Sequence, residues 1–227
     1  MPLTQAALLK TTLLDYPEEI ASVIFTPGCN LRCPYCHNPS LVLDSKNNSE
    51  LLPLDEIKKF LHKRKNLIGA VVISGGEPLI HNNIGEIVDY IKSMNLKVKI
   101  DTNGLFPEKL EKLNVDYIAM DVKTAPQNYS RLGLQKYSSK LVESISYIIN
   151  SGIDHEFRTT VTEEIVTIDD VRELIPFLKN AEHWYFTAFK PGNTLDSLYS
   201  SKEPPEKEYL EKLLSAAQKA GIKSSIR

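Results

Sequence analysis

The chain has 227 residues, 42% of them hydrophobic and 25% charged, enough to bury a substantial core as one large α/β domain or two small ones. A formal net charge of −2 leaves no overall basic footprint for nucleic acid and no acidic tail. Met1 to Leu14 lacks the basic, apolar and small-residue order of a signal peptide, and no apolar run approaches the roughly 18 residues of a membrane span. The expectation is a cytoplasmic protein that engages neither membrane nor nucleic acid.

After a short N-terminal extension, residues 1–19, the first predicted strand is Ala21–Thr26. All three cysteines follow it, in Phe25 to Pro39 (FTPGCNLRCPYCHNP), and Asp44 to Glu50 (DSKNNSE) is the best candidate for a flexible loop. Ile57, Phe60 and Leu61 then recur at helical spacing, followed by a strand at Ala70–Ser74 and a helix carrying Ile87, Tyr90 and Ile91. Strands at Lys97–Asp101 and Tyr117–Asp121 precede a helix with Leu141, Ile145, Ile148 and Ile149. A strand at Glu156–Val161 leads to a helix with Val171, Leu174, Ile175 and Leu178, in which Pro176 is expected to cause a kink or reset the start. The strand Trp184–Phe189 and a helix with Leu210, Leu213, Leu214 and Ala217, ended by Gly221, complete the pattern.

Six nearly continuous apolar strands alternating with helices describe an α/β fold with a parallel sheet covered on both faces. Six units fit a partial barrel or a doubly wound sheet, and in both the site lies at the carboxyl ends of the strands. Those ends carry Thr26-Pro27-Gly28-Cys29, Gly75-Gly76-Glu77-Pro78, Thr102-Asn103-Gly104, Asp121-Val122-Lys123, Arg158 with Thr159, and Lys190-Pro191-Gly192-Asn193. A single βα loop is polar and glycine-bearing for turn chemistry alone. Six such loops on one rim point to one site.

The spacing Cys29-x3-Cys33-x2-Cys36 lets one loop place three thiolates around a metal centre. An electron-carrier 4Fe-4S centre takes four cysteines, so a missing fourth leaves one coordination position open for chemistry. Rival readings exist. Cys33-Pro34-Tyr35-Cys36 matches a redox dithiol but leaves Cys29 idle, and Cys33 to His37 fits c-type haem attachment only in an exported protein. Zinc held by the three cysteines and His37 requires adjacent Cys36 and His37 to reach one tetrahedral ion. On spacing alone, the open cluster, structural zinc and a dithiol redox module all stand.

The motif Cys29-x3-Cys33-x-Tyr35-Cys36 resembles the signature of the radical S-adenosylmethionine (SAM) family, and Gly75-Gly76-Glu77-Pro78 resembles its second motif. Leu14-Asp15-Tyr16-Pro17, Cys36-His37-Asn38-Pro39, Asp101-Thr102-Asn103-Gly104 and Asp121-Val122-Lys123 are similar to the glycyl-radical-enzyme activases, with most likeness to the activating protein of anaerobic ribonucleoside-triphosphate reductase. The resemblance covers nearly the whole chain. It implies one radical SAM domain over 1–227, a partial (β/α)6 TIM-like barrel, and a 4Fe-4S cluster on Cys29, Cys33 and Cys36. The open iron would take S-adenosylmethionine, and the reduced cluster would cleave it to methionine and a 5′-deoxyadenosyl radical. That radical would remove hydrogen from a glycine of a partner glycyl radical enzyme, with a flavodoxin or ferredoxin as electron donor.

The same resemblance implies roles for residues. Tyr35, Cys36 and His37 would lie along the adenine, and Gly75 and Gly76 would bring backbone close to the methionyl amino group, with Glu77 orienting that motif. Asp101, Asn103, Asp121, Val122 and Lys123 belong to motifs that would meet the ribose and methionyl carboxylate. A plain ion pair between Lys123 and an aspartate is the competing account. Arg158 would reach the same carboxylate, since guanidinium binds it bidentately, and Lys190 falls where a polar residue faces the nucleoside. Two departures stand out: Glu18 occupies a place where relatives often have glycine, and there are no cysteines for extra ferredoxin-like clusters. A radical enzyme acting on a small molecule or RNA base is the alternative function.

Overall fold

The computed structural model describes residues 1–43, 49–134 and 139–227. Except for Ser49 and Glu50, the loop expected over 44–50 lies outside the described residues. The chain divides into two compact units.

The first unit comprises residues 1–30, 40–102 and 108–118. It holds β1 (Gln5–Thr12), β2 (Ala21–Thr26), most of α1 (Pro39–Leu43), β3 (Leu52–Pro53), α2 (Leu54–Arg64), β4 (Ala70–Gly75), α3 (Ile84–Lys92) and β5 (Lys97–Thr102). Its strands run in the order β3-β1-β2-β4-β5. β2, β4 and β5 are parallel, with Ala21 opposite Ala70 and Ile73 opposite Ile100, whereas β1 is antiparallel to β2 and β3. The β-branched run Val71, Val72 and Ile73 is fully buried, as are Ile57 of α2 and Val88 and Ile91 of α3. α2 has no side-chain N-cap, but Asp55 and Glu56 in its first turn and His62, Lys63 and Arg64 in its last complement the helix dipole.

The second unit comprises residues 31–39, 103–107 and 119–227. It contains the last three residues of β6 (Tyr117–Asp121), then α5 (Lys140–Asn150), β7 (Asp154–Val161), α6 (Ile168–Leu178), β8 (Trp184–Ala188), α7 (Lys207–Lys219) and β9 (Ser224–Ile226); the short α4 (Pro107–Leu110) begins in it. The order is β6-β7-β8-β9, with β7, β8 and β9 parallel. Phe157, Trp184, Phe186, Leu174, Leu178, Leu213 and Ala217 build its core. A polar thread crosses that core without leaving a buried donor unmet: the Trp184 indole N–H donates to Thr159 Oγ1 at 2.9 Å, and the Thr159 hydroxyl donates to the Val122 carbonyl at 2.6 Å.

All six expected strands form, each with bounds within two residues of the sequence reading. The structure adds β1, β3 and β9. Pro176 does not reset α6, because Thr167 and Asp170 close a capping box that fixes the start at Ile168, and the proline falls in the last turn. The turn around Tyr16-Pro17 does adopt the geometry that favours glycine: Glu18 has φ of 62°.

Candidate functional site

In the first unit, β2 and β4 deliver two glycine-bearing turns to one another. Gly76 N donates to the Thr26 carbonyl at 2.8 Å and Glu77 N to the Gly28 carbonyl at 2.9 Å. The approach is so close that a Cβ on Gly76 would stand 1.9 Å from the Gly28 oxygen and 3.4 Å from Cys29 Cβ. Gly75 has φ of 115°, a conformation closed to most L residues. Glu77 is fully buried, and its Oε1 accepts from Thr102 Oγ1 at 2.8 Å and from Leu79 N at 3.0 Å, capping the turn Pro78–Ile80. His81 supports the same corner, its Nε2 donating to the Pro27 carbonyl at 2.9 Å, and burial lowers its pKa, which favours the neutral ring. Asp101 Oδ2 accepts from Ser74 Oγ at 3.1 Å, and Lys99 Nζ lies 3.6 Å from Oδ1.

In the second unit, Cys33 to Cys36 form a turn closed by Cys36 N donating to the Cys33 carbonyl at 3.0 Å. Two loops hold it. Arg32 N donates to the Leu132 carbonyl at 2.8 Å; Leu195 N and Asp196 N donate to the Cys36 and Pro34 carbonyls, each at 3.0 Å. His37 stacks on Phe189 with centroids 5.8 Å apart, and Tyr35 packs near Tyr199. None of the three cysteines is in a disulfide.

The end of β6 meets β7 through charge. Asp121 Oδ1 accepts from Arg158 Nε at 2.9 Å and Oδ2 from Lys123 Nζ at 3.2 Å. Arg158 Nη1 is 3.8 Å from Glu156 Oε1, and Arg227 donates twice to the buried Glu156 carboxylate, both at 3.1 Å. Signs therefore alternate along Lys123, Asp121, Arg158, Glu156 and Arg227. Burial works to raise the Asp121 pKa, but Arg158 and Lys123 outweigh it and hold the carboxyl at about 2. Because 35% of the Asp121 side chain is exposed, water screens part of that attraction. For Lys123, burial works to lower the pKa, and Asp121 and its neighbours instead raise it well above the ordinary value. Tyr35 is 4% exposed, burial raises its pKa well above 10.0, and its hydroxyl has no hydrogen-bond partner among the described residues, while Lys123 Nζ stands 6.0 Å from its ring centroid.

Of the sequence-expected residues, the second unit brings Tyr35, Asp121, Lys123 and Arg158 together. Val122 is buried between them, its N–H donating to the Arg158 carbonyl at 2.9 Å. Asn103 is turned to local work, Oδ1 accepting from Leu105 N at 3.2 Å, and Lys190 is an exposed residue beyond Phe189. The Lys123 ion pair weighed from sequence is present. Sequence reasoning missed His81, Phe189 and Tyr129, whose hydroxyl oxygen accepts from Lys123 N at 3.2 Å. Only Phe189 carried a signal, as the last residue of a predicted strand.

The sequence profile of the radical SAM superfamily matches residues 23–178. The chain belongs to that superfamily. A relative in Methanocaldococcus jannaschii, provisionally named a glycyl-radical enzyme activating enzyme, is 30% identical over 94% of this chain and 91% of its own. The 7-carboxy-7-deazaguanine synthase of Aquifex aeolicus is 36% identical over 50% of this chain and 51% of its own. Among solved structures, a radical SAM methyltransferase from Sphaerobacter thermophilus superposes with a TM-score of 0.70 at 17% identity, over 96% of this chain and 68% of that one, in keeping with the α/β, partial-barrel class.

Radical SAM enzymes use a 4Fe-4S cluster and S-adenosylmethionine. The donor set fits such a cluster, with three thiols in eight positions, and the Gly76–Gly28 contact is backbone packed with no room for a side chain. In the present side-chain arrangement no three His, Cys, Asp or Glu among the described residues are grouped to hold a metal ion. No helix among the described residues is long and apolar enough to cross a membrane.

Proposed function

We propose that this radical SAM enzyme is an activase that installs a glycyl radical on a partner enzyme, with anaerobic ribonucleoside-triphosphate reductase as the first candidate and a flavodoxin or ferredoxin as donor, in the cytoplasm. The observation that carries the reading is the likeness, over 94% of the chain, to a relative named for that activity. We read residues 1–227 as one radical SAM domain. Cys29, Cys33 and Cys36 are assigned to the cluster. When bound, the reduced cluster supplies the electron that cleaves the sulfonium of S-adenosylmethionine.

The chain's own residues then bind and orient the cosubstrate. Gly75 and Gly76 admit the methionyl amino group to bare backbone, with Glu77 fixing their turn. Lys123 and Arg158 present cationic donors to the carboxylate, and Asp121, held ionised by both, keeps them aimed. Tyr35, Cys36 and His37 line the adenine; Asp101, Asn103 and Val122 shape the ribose side, and Lys190 faces the nucleoside. The buried Tyr35 hydroxyl is available to a ligand acceptor, which the described residues do not supply.

The likeness to 7-carboxy-7-deazaguanine synthase over half of the chain favours a second reading, a radical enzyme for a small molecule. Anaerobic reconstitution with iron and sulfide, followed by reduction with S-adenosylmethionine, should release 5′-deoxyadenosine, and Cys33→Ala should abolish it. Equal release by Cys33→Ala refutes the cluster assignment. Adding anaerobic ribonucleotide reductase should then yield a protein radical by electron paramagnetic resonance; its absence with turnover intact rejects the activase reading in favour of the second.

A further inference from the structure

One buried carboxylate outside the strand ends organises the segment that follows Lys123. Asp170, at the third position of α6, has a side-chain exposure of 0%. Its Oδ1 accepts from Ala125 N at 3.3 Å and Asn128 Nδ2 at 2.6 Å, and lies 2.9 Å from Thr124 Oγ1, whose single proton it shares with the Ile165 carbonyl at 2.7 Å. Its Oδ2 accepts from Arg131 Nη1 at 3.1 Å, and from Thr167 N and Oγ1 at 2.8 and 2.6 Å. Two of the six bonds close the helix cap. The other four come from residues 124–131, beyond what a cap requires.

That segment, extended to Leu132, touches the candidate site twice. Tyr129 accepts the Lys123 amide, and the Leu132 carbonyl accepts the Arg32 amide, at the entry to the turn of Cys33 and Cys36. We propose that Asp170 is the positioning residue for Lys123 and for the cysteine turn, acting through residues 124–132. A carboxylate suits this better than a neutral side chain, because its two oxygens accept from several donors at once and carry no proton of their own. Burial works to raise its pKa, but the bonds from Thr167, Asn128 and Thr124 hold it at about 2, which favours the ionised form. The proposal rests on the proposed function only in that Lys123 meets the cosubstrate.

Hydrogen exchange of the cluster-free chain tests it. Thr124→Val and Asn128→Ala each remove one donor to Asp170 and should speed exchange of the Lys123 and Arg32 amides about fivefold or more, the factor expected for one lost hydrogen bond. Amides of β2 and β4 should keep their rates, and Thr124→Ser, which retains the hydroxyl, should restore protection. Unchanged exchange at Lys123 and Arg32, or acceleration spread equally over β2 and β4, overturns the positioning role. In reconstituted protein the same two variants should bind S-adenosylmethionine at least about fivefold more weakly. Lys123→Met separates the two ideas. If it binds the cosubstrate like the wild type, the role given to Lys123 fails while the exchange result still decides the role of Asp170.

Discussion

Replacing Gly76 by alanine isolates the contact between the β2 and β4 turns. The new methyl would lie 1.9 Å from the Gly28 oxygen and 2.7 Å from its carbonyl carbon, well inside any tolerable distance, and both atoms are backbone. Relief means separating the turns, which breaks the 2.9 Å bond from Glu77 N to Gly28 O at about 1 kcal/mol. Overpacking adds about 1–3 kcal/mol. The sum, about 2–4 kcal/mol, corresponds to a fall in Tm of roughly 5–15 °C for a chain of this size. Gly85 provides the control: in α3, its Cβ would meet only Leu113 Cδ2, at 3.9 Å, so Gly85→Ala should be neutral or stabilising by up to about 1 kcal/mol. Thermal and urea unfolding of the two variants, read beside iron content after reconstitution, checks the argument. If Gly76→Ala melts with the wild type and loads iron equally, the close approach of the two turns is wrong.

Glu18→Gly should stabilise the fold by about 0.5–1 kcal/mol in urea titration, because relief of a left-handed glutamate exceeds the added freedom of the unfolded chain; a loss of stability would show that the Glu18 side chain makes a contact worth more. Asp121 and Asp170, each held at about 2 against an ordinary 3.8, contribute stability that is complete above 3.8 and lost as pH falls from 3.8 toward 2. In urea midpoints across that range Asp170→Asn should flatten the acid limb strongly. Asp121→Asn should flatten it less, because its carboxylate is partly screened by water. An acid limb identical to that of the wild type in both variants would refute the network.

The strands were legible because Val71 to Ile73 combines β-branched residues with burial on both faces, while Phe157 to Val161 alternates buried Phe157, Thr159 and Val161 with half-buried Arg158 and Thr160. β1, QAALLKTT, was not, since it mixes buried and exposed positions without a clean period, and β9 has only three residues and takes its place from pairing with β8. Spacing singled out the cysteines and glycines because covalent reach and bare backbone are local properties. The ion pair of Asp121 and Arg158 spans 37 residues, and Asp170 reaches back 46 to Thr124; such pairings are written in no window of sequence.

Trp184 is the only tryptophan of the chain, and its indole N–H is tied through Thr159 to the carbonyl of Val122, next to Lys123. An intrinsic fluorophore is thus wired to the strand end that carries Asp121 and Lys123. Its emission can follow any change at that strand end without a label, and a single lifetime would signal that the segment rests in one state.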